Sequence, residues 1–248
     1  MSDQPILFSA PMILALLAGR KLQTRRLLPN SGKLIDFRRT DAGEWEFTYH
    51  GYPGKEMAKP PRIRTGDRLY VREAWKTFVS LNTVAPRDLW SKGGGRGAGI
   101  TYLADNMGMA ITREGQRTTG ERDIDASAFG RYRPGMHMPK WASRMTLIVD
   151  DVRIERLQDI SEADAIAEGI EPVYDERGPG ETYWKDYSVM PDGMPHPWTV
   201  VPFISPVRSY ESLWTSINGE GSWGANPWVS VYVFEVRHAN IDSLGERR

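Results

Sequence analysis

The chain has 248 residues, of which 40% are apolar and 26% charged, and its basic and acidic side chains balance to a net charge of zero. It contains no cysteine, which excludes disulfide-stapled scaffolds, thiolate metal sites and thiol catalysis. No apolar run is long enough to predict a membrane span. The short apolar start at Pro5–Phe8 is unlike a signal peptide, so we expect a cytoplasmic protein.

The first thirty residues predict a strand, a helix and a second strand. The apolar segment Pro5–Ser9 predicts the first strand, and Ser9 and Pro11 are residue types that begin helices. The segment that follows is apolar nearly all round, which is typical of a buried helix. Gly19 predicts its end. Lys21–Leu28 then predicts a strand in which successive side chains alternate between two faces.

The middle of the chain has weaker patterns. Alternating aromatic residues after Asp41–Gly43 indicate a hairpin. Turn-bounded apolar runs predict strands over Arg68–Val71 and Ile100–Leu103. The glycine run at 93–95 predicts a flexible loop tip. Residues 105–133 are polar, and we expect a mobile excursion from the core.

The last hundred residues alternate clear strands with short helices. Ser161 predicts a helix start, and Asp164 three residues later forms an imperfect capping box. Gly169 predicts the end of that helix. The remaining elements predicted here are a long or bent strand over Met145–Leu157, a helix over Tyr210–Ile217 and a final strand over Trp228–Val236.

Short strands outnumber helices, which favours a mainly β protein of the α+β class, built as a small barrel with flanking helices and long loops. We expect one domain over residues 1–248. The predicted insertions lie at about 32–60, 80–99, 105–135 and 172–206.

One polar motif follows the first helix. Gly19, Lys21, Thr24 and Arg26 fit the pattern G-x-K-x-x-[E/T]-x-R, and the chain here resembles the ASCH domains, a branch of the PUA-like superfamily. Three further segments resemble that family in the same order: Gly66–Leu69, Leu157–Ile170 and Trp228–Arg237. The whole chain also resembles ASCH-like proteins encoded by bacteriophages and prophages, which would place it in the host cytoplasm.

The resemblance implies a pseudo-β-barrel with a cleft for a base, a nucleoside or a nucleic-acid strand. Over the core, the chain resembles small bacterial N4-acetylcytidine amidohydrolases, and this resemblance implies that their catalytic lysine, threonine and glutamate fall on Lys21, Thr24 and Glu168. Other ASCH and PUA-like proteins bind RNA or modified DNA, or act as nucleases. The resemblance implies no cofactor. The four histidines are scattered without metal-ligand spacing, so we expect no metal site.

The chemistry places demands on these three residues. A threonine hydroxyl needs a neighbour that takes its proton, and a lysine can do so only if its pKa is lowered. Residues three apart in a flat strand point to opposite faces, so Lys21 and Thr24 converge only if Lys21 lies in the Gly19 turn or a bulge intervenes. Glu168 lies where the helix dipole disfavours a negative charge. It is either held by a cation or is a solvated surface acid.

Basic and aromatic residues could line the expected cleft. Arg20 and Arg25 lie within the motif segment beside the motif residue Arg26, and Lys140, Trp141 and Arg144 form a second group that we expect on the same face. Trp141 has two interpretations, a platform that stacks a base or a lid packed over the core.

Three functional hypotheses remain open at this point. The chain is a non-catalytic module that binds RNA or DNA, an amidohydrolase acting on an N-acylated cytidine-like base, or a phage accessory protein with a structural role. Fold resemblance alone does not choose between them.

Overall fold

The computed structural model describes residues 2–30, 32, 34–41, 45–49, 61–89, 99–111, 117–120, 128–173, 182–188 and 203–245. The chain divides into two compact units, each assembled from separate segments. The first unit contains Met1–Ala18, Gly66–Ile148 and Glu235–Arg248, and the second contains Gly19–Thr65 and Val149–Phe234. The single domain expected over residues 1–248 stays a prediction.

The described residues contain more β-strands than α-helices. The strands are β1 Asp3–Leu7, β2 Gln23–Leu27, β3 Leu34–Arg39, β4 Trp45–Tyr49, β5 Arg68–Arg72, β6 Trp75–Thr77, β7 Gly99–Tyr102, β8 Gly108–Ile111, β9 Arg117–Gly120, β10 Thr146–Arg156, β11 Pro172–Val173, β12 Tyr183–Trp184 and β13 Trp228–Arg237. The α-helices described are α1 Ala10–Leu17, α2 Glu162–Ala167 and α3 Pro206–Asn218. Single 3₁₀ turns lie at Val79–Leu81, Pro86–Asp88, Gly135–His137, Lys140–Ala142, Leu157–Asp159 and Ile241–Ser243.

The largest sheet has the strand order β1-β5-β10-β13-β2. β1 pairs in parallel with β5, whereas β5 with β10 and β13 with β2 are antiparallel. Across the described residues the order ends at β1 and β2, so this sheet is not a closed barrel. The α+β class with mainly strands is confirmed.

A separate sheet of the first unit corrects one prediction and contains two strands that the sequence did not predict. The strand predicted over Ile100–Leu103 is β7, but it belongs to a four-stranded antiparallel sheet, β6-β7-β8-β9, rather than to the main sheet. Strands β8 and β9 lie inside the segment 105–133 that we expected to be an excursion. Their sequences are short and carry little apolar alternation, so backbone pairing defines these strands and the side-chain pattern does not reveal them.

Each unit has its own apolar core. In the first unit, the buried side chains of the β6–β7 region form one cluster: Trp75, Leu89, Ile100, Tyr102, Met138 and Ala142. In the second unit, the predicted hairpin is confirmed as β3 and β4, and its aromatic side chains pack with Trp228 against Leu28 and Ile154. A further cluster joins α2, α3 and β13, with Trp223 packed against it.

The predicted helix boundaries follow from capping residues. Ser161 accepts a hydrogen bond from the Asp164 main-chain N–H, as the capping box predicts. Ser9 occupies the N-cap position of α1, but its side chain makes no capping hydrogen bond. Gly19 and Gly169 have φ values of 69° and 91°, the left-handed conformation that ends a helix. The expectation that α1 is buried all round is wrong, because Leu14 is 43% exposed.

Several predicted features lie outside the described residues. They are the glycine run at 93–95, the tip of the hairpin at 42–44 and most of the predicted insertion at 172–206. Within that insertion the described residues include the short antiparallel pair β11–β12.

A glycine-to-alanine pair tests the packing of the first unit. A Cβ built at Gly135 would lie 2.6 Å from Leu7 Cδ1 and 2.9 Å from the Glu73 main-chain carbon. We expect Gly135→Ala to lower the free energy of unfolding by about 1–3 kcal/mol, because the backbone of Glu73 cannot move aside without strain. The measurement is urea denaturation followed by circular dichroism. Gly224→Ala is the control, since its Cβ would make only an ordinary contact at 3.7 Å. Equal stability of the two variants would contradict the packing described here.

Candidate active site

The motif lysine and the predicted helix-end glutamate are in direct contact within the second unit. Lys21 is completely buried, and its Nζ donates to Glu168 Oε2 at 3.0 Å and to the Glu168 main-chain oxygen at 2.8 Å. Glu168 is the C-cap residue of α2 and is 2% exposed. The alternative that Glu168 is a solvated surface acid is therefore wrong.

Local helix chemistry explains why these segments meet. The last carbonyl groups of a helix have no partner inside the helix and need donors from elsewhere. The Leu22 main-chain N–H donates to the Ala167 oxygen at 2.8 Å. The Arg20 side chain donates to the Gly169 and Ile170 oxygens at 3.0 and 3.2 Å. With Lys21 on the Glu168 oxygen, the segment before β2 caps the end of α2 residue by residue.

Arg25 holds the other side of the same carboxylate. Its Nη1 donates to Glu168 Oε1 at 3.1 Å, while Lys21 occupies Oε2. The Arg25 side chain is completely buried, and its Nη2 also pairs with Glu155 and lies 3.6 Å from Asp164 Oδ2. The two oxygens of Glu168 are thus divided between two cations, which offset the unfavourable dipole at this helix end.

The surroundings change the acid–base properties of Lys21. Burial lowers the pKa of Lys21 from the usual lysine value, and the charge and hydrogen bond of Glu168 only partly offset this effect. The positive charges of Arg26 and Arg25 lower the pKa of Lys21 further. The net effect is that the pKa of Lys21 lies below the usual lysine value.

Thr24 and Arg26 lie beside this cluster on β2. Thr24 is 1% exposed and is paired with Tyr232 of β13. Strand alternation places its side chain on the same face as Arg26 and opposite that of Arg25. Lys21 precedes the first residue of β2, in the connection that follows the Gly19 turn, so strict alternation does not separate it from Thr24.

The second basic group lies in the first unit, where acids neutralise it. Lys140 Nζ is 2.9 Å from Asp3 and 2.7 Å from Asp242. Arg144 pairs with Glu73 and Asp105 at 2.8 and 2.7 Å, and its guanidinium stacks over Tyr102. Trp141 is half-buried and packs against the core cluster of this unit, as its lid interpretation predicts.

Four members of the buried network were not predicted from the sequence. Gln23 donates to the Asp164 main-chain oxygen at 2.8 Å, and Glu155 and Asp164 pair with Arg25. The Tyr210 ring lies 5.9 Å from the Arg25 guanidinium carbon, and burial raises the pKa of Tyr210 well above its usual value. The alternation of Gln23 with Arg25 is the one sequence signal that puts both on a common face.

Comparisons with models of known protein families, with curated proteins and with solved structures find no match to this chain. Over the residues that the structure describes, no helix has the length and apolar character needed to cross a membrane. In the same residues, no group of three or more histidine, aspartate or glutamate side chains is arranged to hold a metal ion.

The buried ion pair predicts a large stability effect. We expect Lys21→Met to lower the free energy of unfolding by about 3 kcal/mol or more, because it leaves the buried Glu168 Oε2 and the main-chain oxygen of Glu168 without the Lys21 donor. The measurement is denaturant unfolding at neutral pH. Lys185→Met is the matched control, because Lys185 forms an exposed pair with Glu171 at 2.9 Å, and we expect it to cost less than about 1 kcal/mol. An equally small effect at Lys21 would contradict a stabilising role for the buried pair.

Proposed function

We propose that the second unit carries an ASCH-type site that removes the acyl group from an N-acylated cytidine-like base, presented as a nucleoside or within a nucleic-acid strand. The observation that carries this proposal is the contact between the buried Lys21 Nζ and Glu168. Both residues come from the motif segments that resemble the family, and the chain between them is long. We also propose that the five-stranded main sheet has the strand arrangement of ASCH domains.

Energetics support a functional interpretation of the pair. Burying two charges costs several kcal/mol for each ion, which their attraction repays only in favourable geometry. A buried lysine with a lowered pKa beside a specific carboxylate is a common feature of catalytic sites. Helix capping does not require a lysine to be completely buried, since cationic side chains near a helix C-terminus can also bind its last carbonyl groups from the surface.

The proposed reaction proceeds in two stages. Neutral Lys21 takes the proton of the Thr24 hydroxyl while the Thr24 oxygen attacks the acyl carbon of the substrate. The bond from that carbon to the base nitrogen breaks, and the nitrogen leaves as an amine after receiving the proton from Lys21. Water then attacks the acyl-threonine, with Lys21 taking a proton from the water and returning one to Thr24. The products are a carboxylic acid and the free amino base.

The other motif residues have supporting roles in this proposal. Glu168 orients Lys21, and its charge stabilises the ammonium formed in each stage. Arg26, on the Thr24 face of β2, is suited to bind an anionic or carbonyl oxygen of the substrate. Arg20 and Arg25 face the end of α2, so we propose a supporting role for them rather than direct binding to a phosphate.

A non-catalytic module is the second candidate, and one observation favours it. The side chains of Arg20, Lys21 and Arg25 each donate hydrogen bonds to the end of α2 or to the residues that follow it. A site whose cations are occupied in this way can hold a neutral base without acting on it. This candidate uses the same residues but predicts no turnover.

The deacylation proposal predicts turnover of N4-acetylcytidine or a related acylated nucleoside, measured by chromatographic separation of substrate and product. We expect Thr24→Ala to reduce the rate to that of the uncatalysed control and Lys21→Met to reduce it by about 10²–10⁴-fold. Thr24→Ser retains a hydroxyl and is the matched control. Rates of Thr24→Ala equal to those of the unaltered protein would remove Thr24 as the nucleophile.

The pH dependence follows from the same base. Because burial lowers the pKa of Lys21 below the ordinary value of 10.5, kcat/KM should rise with pH and level off below pH 10.5. The rise reflects the growing fraction of neutral Lys21. A kcat/KM that decreases throughout the range from pH 4 to 10 in a turnover assay would contradict Lys21 as the base.

Binding separates the two candidates when no turnover occurs. If wild-type protein binds acylated and unacylated cytidine equally and releases no product, the binding module is the better description. Fluorescence titration with both nucleosides makes this measurement. For a single-stranded oligonucleotide, affinity that falls steeply with salt would indicate phosphate contacts as well.

A further inference from the structure

Arg25 occupies a position outside the motif pattern, yet it makes more charged contacts than any motif residue described above. Its guanidinium bridges Glu168 on one side and Glu155 and Asp164 on the other. Its side chain is completely buried and lies beside the Tyr210 ring. An arginine in such a place is either a structural ion-pair partner or a part of the site that determines how Glu168 acts.

We propose that Arg25 is a positioning residue that holds Glu168 Oε1, so that Glu168 Oε2 faces Lys21 and only part of the carboxylate charge acts on the Lys21 ammonium. This inference deepens the proposed deacylation site, and it rests on that site only for its kinetic consequence. The contact geometry carries it. One carboxylate is held at both oxygens by two different cations, at 3.0 and 3.1 Å.

The planar fork of arginine is suited to this task. One of its terminal nitrogens reaches Glu168 while the other reaches Glu155, so the guanidinium is fixed at both ends. Lysine carries the same charge as a single point and cannot bridge two carboxylates in this way. The bridge therefore transmits the position of Glu155 on β10 to Glu168 at the end of α2.

Charges from every neighbouring element act on the pair. Lys21, Arg25 and Arg26 come from the β2 segment, Glu155 from β10, Asp164 from α2 and Tyr210 from α3. Among these, Arg25 is the cation that touches Glu168 without touching its main-chain oxygen. Removing Arg25 leaves Glu168 to act on Lys21 alone and also removes a positive charge near Lys21, so both changes favour the protonated lysine.

The test follows the titration of Lys21 directly. Protein is labelled with ¹³C at the lysine Cε, the Lys21 signal is assigned by its loss in Lys21→Met, and its midpoint is measured by NMR. We expect Arg25→Gln to raise the midpoint by about 1 pH unit. We expect Arg25→Lys, which keeps the charge but loses the bridge, to raise it by about half as much. For a substrate that the protein turns over, the rise of kcat/KM with pH should move to higher pH by the same amount.

Arg153→Met is the matched control. Arg153 contacts Asp164 at 3.1 Å and Gln23 at 3.4 Å. Replacing Arg153 therefore removes a nearby positive charge that, unlike that of Arg25, is not paired with Glu168 in these contacts. We expect little change in the Lys21 midpoint. Circular dichroism checks that each variant is folded, and if Arg25→Gln does not fold, Arg25→Lys decides the question.

An unchanged Lys21 midpoint in a folded Arg25 variant would overturn the positioning role and leave Arg25 as a structural partner. A shift equally large in Arg153→Met would overturn it too, because general charge loss would then explain the effect. The NMR titration does not depend on turnover. Failure of the deacylation proposal and failure of this one are therefore distinguishable.

Discussion

The second unit depends on one buried carboxylate. Glu168 ends α2, and its two oxygens are divided between Lys21 and Arg25. The same lysine also satisfies the main-chain oxygen of Glu168, so a helix of only six residues is fixed to the β2 segment by side-chain donors and by the Leu22 main-chain N–H. Burial makes this arrangement costly to break, because an unpaired charge would remain in the interior.

The role of Lys21 in stabilising the fold opposes its role in the proposed catalysis. A lysine that caps a helix end and pairs with a carboxylate is stabilised as an ammonium, whereas a general base must be neutral when it acts. Complete burial and the charges of Arg25 and Arg26 oppose the ammonium and bring the two protonation states closer in free energy. One lysine can then stabilise the fold in its charged form and accept a proton in its neutral form.

Helix boundaries set by capping residues and the positions of regular strands were the features best predicted from the sequence. Ser161, Gly19 and Gly169 marked helix boundaries correctly, and the strands around Arg68, Thr146 and Trp228 were found within a few residues. The resemblance carried the pairing of Lys21 with Glu168, which no local pattern contains. Strands β8 and β9 were missed because their backbone pairing leaves no alternating apolar signature. Arg25 was predicted to line a cleft and Asp164 to cap a helix, but their contact with each other and with Glu155 was missed because no local sequence pattern links the three residues.

Trapping the acyl-enzyme tests the catalytic claim most directly. Wild-type protein is mixed with N4-acetylcytidine or the acylated nucleoside that it turns over, quenched in acid within the first turnovers, digested and examined by mass spectrometry. An acetyl or other substrate-derived acyl group on Thr24, absent when Lys21 is replaced by methionine, is the predicted result. Product formation in wild-type protein with no acyl group on Thr24 and an acyl group on another residue would contradict the proposed site.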